Sequence, residues 1–97
     1  MKRTYFFTAE WCMSCPPVKL NWMRAIRKYP DIEQHTVDME TEEGGAMAGK
    51  YGIRGLPTIL LLNHDGSVHE MFSPAACGIM DTTDFDTKLW HWQEAGR

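Results

Sequence analysis

The sequence predicts an α/β fold with the element order βαβαββα, built as a four-stranded mixed sheet with helices on both faces. Three observations lead to this prediction. Strand-like and helix-like segments alternate in the first half of the chain, so a helix joins the first two strands and makes them parallel. A continuous apolar run, Thr58 to Leu62, is typical of a strand that is buried on both faces. The turn signal from Asn63 to Gly66 indicates that the following strand returns as an antiparallel hairpin partner.

The first strand and the first helix are predicted from residue type and spacing. Thr4 to Thr8 is aromatic and β-prone, which predicts a strand. A helix is expected from about Cys12 to Tyr29, because apolar residues recur there on one face, and Pro30 ends it. That apolar face consists of Val18, Trp22, Ile26 and Tyr29.

The next two elements have weaker signals. Ile32 to Met39 predicts a second strand, although its polar and apolar residues alternate imperfectly. A second helix is expected to begin near Thr41 and to end at Gly52. It is the least strongly indicated element, because each internal glycine costs about 1 kcal/mol relative to alanine. These glycines are Gly44, Gly45 and Gly49.

The second half of the chain completes the pattern. Ser67 to Phe72 is expected to pair with the buried strand as a hairpin. A loop that contains Pro74, Cys77 and Gly78 is then expected to lead into a last helix. Thr82, Thr83 and Asp84 offer caps for this helix, and Phe85, Leu89 and Trp92 form its apolar face.

Length and composition limit the classes of protein that fit. The chain has 97 residues, so we expect one domain that spans residues 1–97. The net charge of −3 provides no electrostatic basis for binding nucleic acid. No segment approaches the ~20 apolar residues of a membrane span, so no membrane partner is expected. Glu10 interrupts the N-terminal aromatic segment before an apolar stretch of signal-peptide length forms, so we expect a cytoplasmic protein.

Two segments carry the chemistry. Cys12 and Cys15 are three positions apart ahead of an amphipathic helix, a spacing that lets a disulfide ring close and reopen. The segment from Arg54 to Thr58 stands directly before the buried strand. Three cysteines are an odd number, which argues against a framework of structural disulfides. Together these features favour thiol–disulfide exchange.

With these motifs the chain resembles the thioredoxin family. The segment Glu10-Trp11-Cys12-x-x-Cys15 resembles the active-site entry of the family, and Lys50 to Thr58 resembles its cis-proline segment. The resemblance extends from about Thr4 to Trp92. In size the chain is similar to glutaredoxins and to small phage or archaeal thioredoxins, because it lacks the extra first strand and helix of longer members.

The chain also departs from the family pattern near the cysteines. Met13-Ser14 stands where ordinary thioredoxins have Gly-Pro. Phe6 occupies the strand position that usually carries a buried acid, which leaves no evident proton acceptor for Cys15. Pro16 and Pro17 follow the second cysteine.

The two cysteines are expected to have different roles. Cys12 lies at the strand-to-helix junction, where free amides and the helix dipole stabilise negative charge, so we assign it as the attacking thiolate. The pKa of its thiol is expected to fall below the free value of ~8.5. Cys15 lies one turn further in and is expected to be the more buried, resolving thiol. Pro16 and Pro17 weaken the dipole argument because they lack amide donors, and Ser14 is placed to donate a hydrogen bond to the Cys12 thiolate.

The resemblance implies further substrate-binding residues. It implies a cis Leu56–Pro57 bond beside the disulfide, with the backbone of Leu56 free to pair with an extended substrate. Trp11, beside a cysteine expected to be exposed, would belong to an apolar docking surface; the alternative is a core aromatic. Gly78 would let a substrate approach the site closely.

Other interpretations remain open at this point. The cysteines would be inert if they were merely packed thiols. A zinc site could use Cys12, Cys15, Cys77 and a histidine, but structural zinc usually shows two close ligand pairs and this chain has one. The candidate histidines are His35, His64, His69 and His91. Cys77 is either a partly buried free thiol or a regulatory thiol that is open to oxidation.

The resemblance therefore implies a monomeric protein-disulfide reductase whose redox-active group is the Cys12–Cys15 disulfide, with no bound cofactor. Its substrates would be disulfide-containing proteins, with ribonucleotide reductase as one candidate if the chain is phage-encoded. A flavin-dependent thioredoxin reductase or glutathione would supply the electrons. A glutaredoxin-like reductase and a non-catalytic binding module with the same fold are the alternatives.

Overall fold

The computed structural model describes residues 1–95. Within them lie four strands and four helices. Strand β2 pairs parallel with β1, β1 pairs antiparallel with β3, and β3 pairs antiparallel with β4, in the spatial order β2-β1-β3-β4. The elements are β1 (Arg3–Thr8), α1 (Cys15–Ile26), β2 (Glu33–Asp38), α2 (Glu42–Tyr51), β3 (Thr58–Leu62), β4 (Val68–Phe72), α3 (Pro74–Ile79) and α4 (Thr82–Ala95). This mixed sheet confirms the predicted fold class.

The core consists of two apolar clusters, one on each face of the sheet. Phe6 and Ile59 face α1 and α4 in the larger cluster, which also contains both cysteines of the Cys12–Cys15 pair. Phe7 and Leu60 face α2 in the smaller cluster. Consecutive residues of β1 and of β3 thus point to opposite faces, as strand geometry requires. Helices therefore cover both faces of the sheet, as predicted.

Helix α2 has the bounds that the sequence predicts. Thr41 caps its start by accepting a hydrogen bond from the amide of Gly44 at 2.9 Å. Gly52 ends it with φ of 67°, the left-handed conformation that glycine adopts readily. Gly44 is required for a steric reason, because a Cβ atom there would collide with the backbone carbonyl of Asp38.

Helix α1 is shorter than the prediction from Cys12 to Tyr29. It begins at Cys15, because residues 12–15 form a turn in which the amide of Cys15 donates to the carbonyl of Cys12 at 3.3 Å. It ends at Ile26, because the amides of Lys28 and Tyr29 bond three residues back, not four.

The predicted loop around Pro74, Cys77 and Gly78 is wrong, since these residues form the short helix α3. Ser73 caps it by accepting from the amide of Ala76 at 3.2 Å, and Pro74 occupies its first position. Six residues are too few to show helical periodicity, so the serine–proline start is the one sequence signal for this helix. Within residues 1–95, no helix is both long and apolar enough to cross a membrane.

Candidate active site

The site is built around a disulfide between Cys12 and Cys15, whose Cα atoms are 5.4 Å apart. After β1 ends, a turn closed by the Cys12 amide and the Ala9 carbonyl at 3.0 Å carries the chain to the first cysteine. Cys12 is 6% exposed and Cys15 is 3% exposed. Cys15 is the more buried thiol, as predicted, but the expectation that Cys12 is exposed is wrong for the oxidised state, because it packs in the larger cluster.

A surface cavity of about 250 Å³ borders the disulfide pair. The end of β1 and the first turns of α1 form its walls, and its lining includes both cysteines. Glu10 and Lys19 bring one acidic and one basic side chain to the same cavity. Both cysteines therefore border a surface cavity, although little of either side chain is exposed.

The cis-proline segment lies at the same end of the sheet as the disulfide. Antiparallel pairing places Thr58 opposite Phe7, so the residues just before β3 lie beside the residues just after β1. The Leu56–Pro57 peptide bond is cis, as the resemblance implied. The side chain of Leu56 packs against the cluster that holds both cysteines. The fold thus brings together the two segments that the sequence singled out.

Two apolar side chains border the disulfide in the chain and face solvent. Trp11 is 65% exposed and Met13 is 89% exposed. Trp11 is therefore not a core aromatic, whereas Trp22 and Trp92 are buried as predicted. Exposed apolar groups beside a reactive bond are typical of a docking surface, and contact of Trp11 with substrates stays a prediction.

Comparison with known proteins assigns the family. A model described as Thioredoxin matches residues 5–81. The chain belongs to the thioredoxin family. It is 33% identical over 57 residues to the mitochondrial thioredoxin O2 of Arabidopsis thaliana. That alignment covers 57% of this chain and 35% of the relative, so the chain spans about a third of the length of the curated relative that it matches.

Solved thioredoxin structures share the fold at low sequence identity. Oxidised thioredoxin O2 from Arabidopsis thaliana superposes with a TM-score of 0.77 and 20% identity, covering 94% of this chain and 74% of that one. Thioredoxin-2, described as a component of malaria parasite protein secretion machinery, superposes with a TM-score of 0.77 at 21% identity. This match covers 94% of this chain and 82% of that one. The thioredoxin of Fasciola hepatica superposes with a TM-score of 0.70 at 24% identity, and the match covers 99% of this chain and 81% of that one.

No buried carboxylate lies beside the two cysteines in the part of the chain that the structure describes. Phe6, at the position where the family pattern has an acid, is 1% exposed and packs in the cluster with Cys12 and Cys15. Among residues 1–95, the buried polar side chains are those of Thr4 and Thr58. A proton that leaves Cys15 therefore has to go to water, to a substrate sulfur or to a group that lines the cavity.

The hydroxyl of Ser14 lies beside the first cysteine. Its oxygen is 3.7 Å from Cys12 Sγ, within hydrogen-bonding distance for sulfur. Because a disulfide sulfur carries no proton, the hydroxyl is the donor. The contact predicted from the sequence between Ser14 and Cys12 is thus present in the structure.

The third thiol of the chain is closed to solvent. Cys77 is 1% exposed, its Sγ lies 3.6 Å from the carbonyl oxygen of Phe72, and burial raises the pKa of its thiol to about 11. A protonated, inaccessible thiol is a poor target for oxidants. The structure therefore supports the buried-thiol interpretation of Cys77 and argues against the regulatory one.

Gly78 lies on the exposed side of α3, with no atom within 4 Å of the place that a Cβ would take. Its proposed role in substrate approach stays a prediction. Pro74, in the same region, lies close to the cis-proline segment, because a Cβ added at Gly55 would be 3.0 Å from its Cγ. Sequence reasoning missed Pro74 because it placed the residue in a loop.

Metal ligands do not cluster in the described part of the chain. In residues 1–95, no group of three or more His, Cys, Asp and Glu side chains is placed to hold a metal ion.

Proposed function

We propose that this thioredoxin-family chain is a thiol–disulfide oxidoreductase that reduces disulfide bonds in proteins through Cys12 and Cys15. One observation carries the proposal: the two cysteines form a disulfide beside a surface cavity, at the end of the sheet where the cis-proline segment lies. This arrangement supports exchange chemistry because a thiolate must reach the sulfur of a partner protein.

The reaction proceeds in two exchanges from the reduced dithiol. The Cys12 thiolate attacks one sulfur of the substrate disulfide, so a mixed disulfide forms and one substrate cysteine leaves as a thiolate. Cys15 then loses its proton and attacks Cys12 Sγ, which closes the Cys12–Cys15 bond and releases the second substrate thiolate. Two electrons pass from the chain to the substrate.

Proton removal from Cys15 uses water or the departing thiolate of the substrate. Phe6 offers no acid–base group, and the cavity beside the disulfide is wide enough for water. This second exchange is therefore slower than it would be with a carboxylate at position 6.

Substrate recognition relies on backbone and on apolar contact. An extended substrate segment pairs with the backbone of Leu56 next to the cis bond, as in β-augmentation. Exposed Trp11 and Met13 cover the apolar side chains of that segment. Neither contact selects a particular sequence, so the proposed substrates are disulfide-containing proteins as a class.

The cellular setting belongs to the proposal as well. The chain acts as a monomer in the cytoplasm and is reduced again either by a thioredoxin reductase or by glutathione. In a phage-encoded version, ribonucleotide reductase is the proposed electron acceptor. A reductase-dependent cycle is preferred to a glutaredoxin-like one because Trp11 precedes the first cysteine.

A redox titration against dithiothreitol tests the proposal, with alkylation and mass shift as the readout of the Cys12–Cys15 pair. We expect a reversible two-electron midpoint, and we expect Cys12→Ser to abolish reduction of insulin disulfides. Cys77→Ala is the matched control and should keep the activity, since Cys77 is buried away from solvent. If the titration shows no reversible couple, the reductase function is wrong and the chain is a non-catalytic binding module. Full activity of a Cys12→Ser, Cys15→Ser double variant would lead to the same conclusion. Turnover with glutathione alone would favour the glutaredoxin-like alternative.

A further inference from the structure

Ser14 stands at the N-cap position of α1 but does not cap the helix. Its backbone is already helical, with φ of −84° and ψ of −12°, and its side chain makes no capping hydrogen bond. The N-cap residues of α2 and α3 behave differently. Thr41 and Ser73 have extended backbones and accept hydrogen bonds from the amides of Gly44 and Ala76.

The difference follows from the sequence after Ser14. An N-cap side chain accepts from the amide of the second or third helical residue, and both Gly44 and Ala76 are third residues. In α1 the second and third residues are Pro16 and Pro17, which have no amide hydrogen. The Ser14 hydroxyl therefore has neither of the usual capping partners, and it lies 3.7 Å from Cys12 Sγ instead.

The same two prolines remove donors that would otherwise support a thiolate. The first amides of a helix are free to face an anion, and they supply much of the stabilisation that a cysteine receives there. Here α1 begins three residues after Cys12, and two of its first three residues cannot donate. A thiolate at Cys12 thus depends on another donor, and the Ser14 hydroxyl is the one that the structure places next to its sulfur.

We infer that Ser14 is a positioning residue whose hydroxyl, released from capping by Pro16 and Pro17, donates a hydrogen bond to the Cys12 thiolate in the reduced protein. The inference rests on the proposed function for its role in turnover. When Cys12 attacks a substrate disulfide, its sulfur gives up the negative charge and the hydrogen bond weakens. The bond therefore enlarges the thiolate population and stabilises the reduced dithiol relative to the disulfide, which makes the protein more oxidising.

The test measures how Cys12 ionises in the full chain. Reduced protein is alkylated with iodoacetamide over a range of pH, and the rate of modification at Cys12 is followed by mass spectrometry. Ser14→Ala should move the midpoint of the rate profile upward by about one pH unit, as expected for loss of one charge-assisted hydrogen bond. Ser14→Thr keeps a hydroxyl and should keep the midpoint of the unaltered protein.

A second measurement separates this role from a structural one. In the oxidised protein, Ser14→Ala should leave the denaturant midpoint of unfolding unchanged, whereas Thr41→Ala should lower it because Thr41 caps α2. Pro17→Ala restores an amide at the third helical position. In that background, Ser14→Ala should lower the unfolding midpoint and shift the Cys12 profile by less than it does in the unaltered chain.

The inference is wrong if Ser14→Ala leaves the Cys12 profile in place, or if Ser14→Thr shifts it as far as alanine does. It is also wrong if Ser14→Ala destabilises the oxidised protein as much as Thr41→Ala. These outcomes are distinct from failure of the proposed function. If Ser14→Ala shifts the pH profile of Cys12 alkylation but the protein reduces no protein disulfide, the inference about Ser14 holds and the proposed reductase function is wrong.

Discussion

Cys77 packs in the same apolar cluster as Cys12 and Cys15, yet its surroundings give it a different chemistry. Burial raises the pKa of its thiol from 9.0 to about 11, although a hydrogen bond with the backbone of Ile59 lowers the pKa. The disulfide pair, by contrast, borders a cavity that is open to solvent. The cavity beside the pair, more than the apolar surroundings, separates the two cysteines assigned to exchange from the buried Cys77.

The raised pKa of Cys77 predicts that stability falls at high pH. The unfolded chain releases this proton near pH 9, whereas the folded chain holds it until about pH 11. The contribution of the protonated Cys77 thiol to the free energy of unfolding is therefore complete below pH 9, and it is lost as the pH rises toward 11. Urea unfolding of the oxidised protein should show that the free energy of unfolding declines between pH 8 and 10, and that this decline is smaller in Cys77→Ala. An equal decline in both proteins would contradict the assignment.

At the scale of single residues, the spacing of the cysteines predicted the pair, whereas the cis proline was predicted from the resemblance of Lys50 to Thr58 to the cis-proline segment of the thioredoxin family. The sequence did not predict that Pro74 lies close to Gly55 in the cis-proline segment. This proximity involves parts of the chain that are distant in sequence, and no local pattern records it. The burial of Cys12 in the oxidised state was missed for the same reason, because it depends on packing with other elements.

Among the elements, α2 combines glycines with opposite requirements. A side chain at Gly44 would collide with the carbonyl of Asp38, whereas the Cβ position at Gly49 has no atom within 4 Å. The low helix propensity of this segment is therefore required by packing at Gly44. At Gly49 it is not required, and a side chain there could stabilise the helix.

Two alanine substitutions in α2 should consequently have opposite signs. Gly49→Ala should raise the free energy of unfolding by up to about 1 kcal/mol, because alanine is the better helix former and the site is open. Gly44→Ala should lower it by at least about 1 kcal/mol, because the Asp38 carbonyl has to move. Urea denaturation of both variants provides the measurement, and stabilisation by Gly44→Ala would show that the contact is easily relieved.

The elements that the sequence predicted well are those with strong local signals. The bounds of β3 follow from its apolar run, and those of α2 follow from its caps. The start of α1 was placed too early because the turn at Cys12 precedes the helix without a break in the apolar pattern. Helix α3 was missed because it is shorter than two helical turns.

In the molecule as a whole, the sheet has a protected centre and an open edge. All five residues of β3 are buried, and β3 lies between β1 and β4. Strand β2 pairs with β1 on one side and is exposed along most of its length. The amides of Glu33 and Met39 face β1, so by strand alternation those of Gln34 and Thr36 face away from the sheet.

This geometry predicts an alternating pattern of hydrogen exchange along β2. The amides of Gln34 and Thr36 should exchange rapidly under native conditions, because they point to solvent. Those of His35 and Val37 should be protected by their bonds to β1, and the amides of β3 should exchange most slowly, through global unfolding. Residue-resolved exchange by NMR measures all of them. Equal protection of Thr36 and Val37 would indicate that another strand covers this edge.

The open edge of β2 also bears on how copies of the chain behave in concentrated solution. Unpaired strand edges can template intermolecular sheets and fibrils. Strand β2 carries one carboxylate near each end, Glu33 and Asp38. Charged side chains on an edge strand disfavour such pairing. The two carboxylates thus act as electrostatic gatekeepers against intermolecular pairing at this edge.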